Sequence, residues 1–210
     1  MEKAELTIAA MTAIFNLLIA GAAVAGAVIA GMGLNTWKRQ SKWEISQDLA
    51  KRILVAIYEY RNSLYSVRHP AMSNQEMEIS EEQYAGIQSG GDKSRAGTIN
   101  AYANRWDNHN ESQVKLDSLV LEADAFWGDD LRKLLEPIRK LENELFSYIR
   151  IHIDAHLRGN TEIAKEYRKI IKESRDILYD SLSDEDEFRV DFTNQLNLIE
   201  VYLREKLGAS

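Results

Sequence analysis

From Leu6 to Trp37 the chain carries no charged side chain, and Lys38-Arg39-Gln40-Ser41-Lys42 closes the run. About twenty apolar residues suffice for a helix to cross the hydrocarbon of a bilayer, so this run is long enough with residues to spare. No water reaches backbone N–H and C=O groups inside lipid, and a helix satisfies them within the segment. The expectation is one transmembrane helix over 6–37, with a short extracytoplasmic tail at 1–5. A cleaved signal peptide is the competing reading, and Ala23-Val24-Ala25 offers an Ala-x-Ala-like site. Such a peptide needs an apolar core of only roughly 7–15 residues behind a positive leader. Here Glu2 and Glu5 outweigh Lys3, and the core is too long.

Orientation follows from the basic residues beyond the run. Lys38, Arg39 and Lys42 stand at its end, with Lys51 and Arg52 further on, against a single Lys before it. Basic residues near a span end are retained on the cytoplasmic side, and Trp37 and Trp43 suit the interfacial belt. The expected placement is the bacterial inner membrane, N-terminus out, with Lys38, Arg39 and Lys42 touching headgroups. Absence of Cys fits a reducing compartment and removes thiol nucleophiles and zinc ribbons.

The net charge of −7 is unevenly spread. Residues 38–70 hold seven Lys/Arg against three Asp/Glu, while 71–210 hold eighteen against twenty-eight. The basic stretch suits anionic lipid headgroups, and the acidic body argues against a broad nucleic-acid surface.

Past the span, helical periodicity dominates, and the fold class expected is all-α. Ser46, Ala50, Ile53, Ile57, Tyr60, Leu64 and Val67 alternate spacings of 4 and 3, predicting a basic juxtamembrane helix over 38–69 that His69-Pro70 ends. Little separates this helix from the span, so one continuous rod is expected, with Gly31 and Gly33 as its weakest points. Residues 70–98 read as a long loop, and 99–207 as a helical bundle. Ile99, Tyr102, Trp106, His109, Gln113, Leu116, Val120, Ala123 and Trp127 form the longest seam, with His109 and Gln113 as a polar core layer. Gly128-Asp129-Asp130 supplies a stop and an N-cap. Leu134, Ile138, Leu141, Leu145, Tyr148, His152 and Ala155 mark the next face, with a kink or restart expected at Pro137. Arg158-Gly159-Asn160-Thr161 ends that helix and caps one whose face is Ile163, Tyr167, Ile170, Ser174 and Ile177. An acidic turn, Ser183 to Glu187, leads into a last helix bearing Phe188, Phe192, Leu196, Ile199 and Leu203.

The span also carries small-xxx-small pairs, among them Gly21 with Ala25 and Gly26 with Ala30. Small residues let helices approach closely in lipid, where packing rather than apolarity drives association. Thr12, Asn16, Ala20, Ala23 and Ala27 share one face, which is expected to meet other copies or line a central axis. The alternative is a lone Ala-rich anchor.

Catalytic signals are thin. Arg150 and His156, with five residues between them, match the spacing of an R-x(4–6)-H motif, but fourteen Arg and four His give about 0.8 such matches by chance. The two side chains also point roughly 120° apart on one helix, so joint work would need two protomers. His152 and His156 sit one turn apart near Asp154 without a third ligand cluster, so no metal is expected. Glu142, Glu144 and the acidic run to Glu187 read as solvated faces or caps. There is no phosphate-binding Gly-rich loop and no Ser-centred elbow, and no cofactor is expected.

Asn35-Thr36-Trp37-Lys38-Arg39-Gln40, Val67-Arg68-His69-Pro70, Phe126-Trp127-Gly128-Asp129 and Ile199-Glu200-Val201-Tyr202-Leu203-Arg204 together resemble bacterial single-span membrane proteins with a cytoplasmic HEPN-like helical bundle. The architecture is similar to that of the membrane-pore accessory proteins of type VI-B CRISPR systems. The resemblance implies a homo-oligomer that permeabilises the membrane in antiphage defence, with a defence-system protein as partner. It carries Arg150 and His156 over as a degenerate HEPN pair, although Ile151 departs from the polar residue the motif favours. The expectation is therefore a non-enzymatic pore-forming effector. A membrane-tethered HEPN-type ribonuclease and a non-catalytic membrane adaptor are the alternatives.

Overall fold

The computed structural model describes the backbone of residues 2–80, 90–157, 161–183 and 185–208, and the side chains of these apart from 2–10, 12–14, 17, 25 and 90. Among the described residues all regular structure is helical. The elements are α1 (Glu2–Arg68), α2 (Gly90–Trp127), α3 (Asp130–His156), α4 (Glu162–Glu173) and α5 (Glu187–Leu207). The chain divides into two units, Met1–Gln47 and Asp48–Ser210.

The first unit is the upstream part of α1. Its large apolar side chains are exposed among the described residues: Phe15 is 68% exposed, Ile29 69% and Met32 68%. This helix is long and apolar enough to cross a membrane. The helical ladder carries through Gly31 and Gly33 without a break, and nothing in the chain approaches either glycine within 4 Å. A penalty of about 1 kcal/mol per glycine is too small to interrupt so long a run of backbone hydrogen bonds.

The second unit builds a core from every remaining element. The downstream part of α1 contributes Ile53, Ile57, Tyr60, Leu64 and Val67, each at most 1% exposed. Helix α3 is the hub, packing against α2, α4 and α5. It buries Leu131, Leu135, Ile138, Leu145 and Ile149, while α5 buries Phe188, Phe192, Leu196, Ile199 and Leu203. Burying one such side chain is worth about 1.5–3 kcal/mol, so these faces fix the bundle.

Helix ends follow local chemistry, not always as the sequence suggests. Helix α1 ends at Arg68, before His69-Pro70. The loop expected over 70–98 is shorter, because α2 already begins at Gly90. The early turns of α2 press on the preceding segment: a Cβ added at Gly97 would lie 2.8 Å from the Met77 carbonyl oxygen. That tertiary contact, invisible to periodicity, extends the helix. Residues 81–89, including Ser89, lie outside the described residues.

Gly128 takes φ +76° and stops α2, but Asp129 makes no side-chain cap. Its backbone sits at φ −85°, ψ 8°, and its carboxylate instead accepts from Lys133 Nζ at 2.7 Å. Helix α3 runs unbroken through Pro137, so no restart occurs. Burial of Leu131, Leu135 and Ile138 on either side offsets the roughly 3 kcal/mol that an interior proline costs. Thr161 caps α4 by accepting from the Ala164 N–H, and Asp186 caps α5 by accepting from the Arg189 N–H. Arg158, Gly159, Asn160 and Asp184 lie outside the described residues.

The face expected for α4 is a correction. Ile163 and Ile170 are exposed, and Ala164 is the buried residue of the helix. Ser174 has left the helix at φ −92°, ψ 158°, so Ile177 packs from the following loop. Arg175 in that loop pairs with Glu144 of α3 and Asp191 of α5, which sets the loop's course.

Candidate functional site

The most concentrated polar chemistry in the bundle lies where α1, α2 and α3 meet. Helix α1 presents Tyr60 and Ser63, three residues apart and so on one side. Helix α2 presents His109, Ser112 and Gln113, and α3 presents Arg139 and Glu142. His109 is fully buried and Glu142 is 4% exposed.

Glu142 is the organiser. One carboxylate oxygen lies 3.0 Å from His109 Nε2, and the other accepts from the Tyr60 hydroxyl at 2.7 Å and from Arg139 Nη1 at 3.0 Å. With its amide nitrogen turned inward, Gln113 donates to Glu142 at 3.3 Å and accepts from Arg139 at 3.1 Å. On the far side of the imidazole, His109 Nδ1 lies 2.8 Å from the Ser63 hydroxyl, which is 2.7 Å from Ser112. Arg139 also reaches Asp117 of α2 and lies over the Tyr60 ring, 5.1 Å from its centroid.

Burial by itself pushes the Glu142 carboxyl up, but hydrogen bonds from His109 and Tyr60 and the charge of Arg139 outweigh it and hold the group below its ordinary value. Burial, with the Glu142 charge beside it, drives the Tyr60 hydroxyl upward, so it remains a donor at neutral pH. A carboxylate can only accept, so His109 donates to Glu142 through Nε2, while Nδ1 faces the Ser63 hydroxyl. The order Ser63, His109, Glu142 matches a hydroxyl–imidazole–carboxylate relay. Yet the Ser63 hydroxyl also lies 2.8 Å from the Tyr60 carbonyl, and the surface clefts at α1/α2, at the foot of α1 and along 175–188 are lined by other residues. A nucleophile needs access as well as a base. The chemistry supported here is a satisfied polar layer that fixes how three helices register.

Two buried arginines form further clamps. Arg68, the last residue of α1, donates through Nε to the Ile177 carbonyl and through Nη2 to the Tyr179 carbonyl, both at 2.8 Å, and pairs with Asp186 at 2.9 Å. Its guanidinium lies over Phe188, 4.5 Å from the ring centroid. Arg105 of α2, 4% exposed, donates to the His69 and Ala71 carbonyls at 2.6 Å and pairs with Glu76 at 2.8 Å. Hydrogen bonds from Arg105 and Ser73 hold the Glu76 carboxyl down to about 2.

The other residues singled out by sequence are more scattered. His109 and Gln113 share the Glu142 layer. Arg150 is exposed and lies over Phe146, 5.7 Å from the ring centroid. His156 is exposed, with its ring 4.9 Å from that of His152. Within one chain no hydrogen bond or ion pair joins Arg150 to His156 among the described residues. Burial and the neighbouring His156 push the His152 imidazole below its ordinary value. No group of three residues able to hold a metal ion occurs among the described residues.

Along the upstream part of α1, Asn16, Ala20, Ala23 and Ala27 are all exposed, and the Thr12 side chain lies outside the described residues. Lys38, Arg39 and Lys42 are exposed around Trp37. Sequence reasoning missed Glu142, Arg68 and Arg105. Glu142, read as a solvated face, is buried; it stands four residues after Ile138 and three before Leu145, so register alone placed it inward.

Comparison with protein-family models, with curated proteins and with solved structures yields no match.

Proposed function

We propose that this chain is a single-span inner-membrane effector that self-associates, with the bundle on the cytoplasmic side and the N-terminus outside. The observation that supports this reading is the exposed apolar girdle of α1, including Phe15, Leu18, Ile29 and Met32, which the chain itself leaves uncovered. Lipid covers the bulky side. At 100° per residue, Asn16, Ala20, Ala23 and Ala27 fall on a different side, the one that meets other copies around an axis. Lys38, Arg39 and Lys42 hold the headgroup level, and the acidic bundle stays clear of the anionic surface.

In this reading the protein works by permeabilising or depolarising the membrane, as part of antiphage defence, under the control of a defence-system partner. A change in how bundles pack would shift the attached spans and open a path between them. The bundle is HEPN-like in this proposal, with Arg150 and His156 as a degenerate, non-catalytic pair.

The test is dye release from proteoliposomes of bacterial lipid containing the full chain. Ala20→Phe and Ala23→Phe crowd the axial side and are expected to cut release several-fold, whereas Ile29→Phe on the lipid side leaves it unchanged. Release that ignores all three substitutions contradicts the axial assignment.

A further inference from the structure

At the foot of α1 the second unit contains a cleft of about 460 Å³, walled by the last turns of α1, by Arg105 of α2, by the 180–182 loop and by the start of α5. Small-molecule sites typically run from about 300 to 1,000 Å³, so the size is that of a ligand pocket. We infer that this cleft binds a small phosphate-bearing anion, held by Arg189, His69, Ser66 and Asn62.

The acceptors in the wall are already engaged. Glu76 accepts from Arg105 and from the Ser73 N–H, and the His69 and Ala71 carbonyls accept from Arg105. Asp180 accepts from Arg189 Nη1 and from the Leu182 N–H, and the Asn62 amide oxygen accepts from Arg61.

The donors are not matched in the same way. Arg189 uses only Nη1 toward Asp180, leaving Nε and Nη2 open among the described residues, and its side chain is 34% exposed. His69 Nδ1 lies 3.2 Å from the Ala71 N and 3.1 Å from the Ala71 carbonyl, so Nδ1 is engaged, while Nε2 has no partner among the described residues. In the tautomer in which Nδ1 accepts from the Ala71 N–H, Nε2 is a further open donor. The Asn62 amide NH₂ and the exposed Ser66 hydroxyl complete the set. A wall with open donors and engaged acceptors complements an acceptor-rich anion, and a guanidinium edge fits phosphate geometry.

A second observation concerns the rim. Leu182 adopts φ +55°, a conformation costing a non-glycine residue about 1–2 kcal/mol, and it is 73% exposed. The loop is held there deliberately by its neighbours: Asp180 takes the Leu182 N–H, Asp186 takes the Ser181 N–H, and Arg68 grips the Tyr179 carbonyl. Strain maintained by that many bonds, at the mouth of a polar cleft, is the arrangement of a ligand-facing loop. Leu182 and Pro70 give the cleft apolar walls beyond the anion-binding end.

The experiment is isothermal titration of the full chain, extracted in neutral detergent, with inorganic phosphate and with adenosine 5′-monophosphate, using succinate as the carboxylate control. Saturable binding at one site per chain is expected for a phosphate probe and not for succinate. Asn62→Asp and Ser66→Asp change exposed side chains and place a negative charge at the mouth, so each is expected to weaken binding at least tenfold while circular dichroism stays unchanged. Arg189→Gln is expected to do the same, with the two rim variants standing in should loss of the Asp180 pairing unsettle the fold. No saturable heat with either phosphate probe, equal binding of succinate, or affinity that survives both rim variants overturns the assignment.

Discussion

Helix α1 carries two apolar surfaces with opposite fates. Between Phe15 and Trp37 its large side chains stand more than half exposed, while between Ile53 and Val67 the inward face is almost wholly covered. The second stretch is amphipathic, with Lys51, Arg52, Glu59 and Arg61 interleaved between the apolar residues, and it finds partners in α2, α3 and α5. The first stretch is apolar on every side, so no single neighbouring layer could complete it. A helix hydrophobic all round needs apolar cover on every side, from lipid or from protein, whereas a striped helix needs one neighbour. The same chain thus contains a surface finished by its own fold and a surface whose completion depends on what surrounds it.

That contrast can be broken most sharply from inside the bundle. Glu142→Ala removes the shared acceptor of His109, Arg139 and Tyr60 at once and leaves the buried His109 and Tyr60 donors unpaired, at about 1–3 kcal/mol each, so a loss of about 2–6 kcal/mol is expected in urea unfolding of the detergent-extracted chain. The counterpart in the span, Ile29→Ala, is expected to leave the same urea midpoint in place, because Ile29 contributes nothing to the bundle's core. A shift of comparable size from Ile29→Ala would dissolve the distinction between the two stretches.

A smaller effect comes from pH. The carboxyls of Glu142, Asp186 and Glu76 are held below their ordinary values in the folded chain. The unfolded chain then binds more protons in acid, so their stabilisation is complete above the ordinary Glu value of 4.5 and is lost as pH falls toward the folded values, about 2 for Glu76. The urea midpoint is expected to slip slightly as pH falls below about 7, because His152 is held below its ordinary value, and to decline further below about 5, less steeply in Glu76→Gln. A midpoint that rises on acidification contradicts these assignments. The smallest change is at a cap: Thr161→Ala costs about 1 kcal/mol through loss of the bond to the Ala164 N–H, read as faster amide exchange in α4.

Where sequence and structure agree, one signal acted alone. The five apolar residues of α5 recur at helical spacing and all five are buried, as are Ile53, Ile57, Tyr60, Leu64 and Val67. Disagreement arises where a second force competes with periodicity. Helix α4 has isoleucines on two sides, and Ala164 rather than Ile163 or Ile170 turns inward, which spacing alone does not announce. Asp129 has the residue type of a cap, but Lys133 four residues on takes its carboxylate. The buried charges Arg68 and Arg105 answer to Asp186 and Glu76, and nothing in local spacing announces such partners. In the candidate layer, His109 and Gln113 were legible as polar residues on an apolar seam. Glu142 was hidden because a lone acid is ordinarily solvated, and its partners Tyr60, His109 and Gln113 come from other helices.

The central claim is that residues 6–37 cross the membrane and leave the two ends of the chain on opposite sides. The protein contains no cysteine, so single cysteines can be placed at will. Ala4→Cys and Ser210→Cys, each produced separately in the full chain, are treated on intact spheroplasts with a membrane-impermeant maleimide. The account predicts that Cys at 4 is labelled on intact spheroplasts and that Cys at 210 is labelled only after lysis. Protection or labelling of both positions together, or recovery of the chain in the soluble fraction, contradicts it.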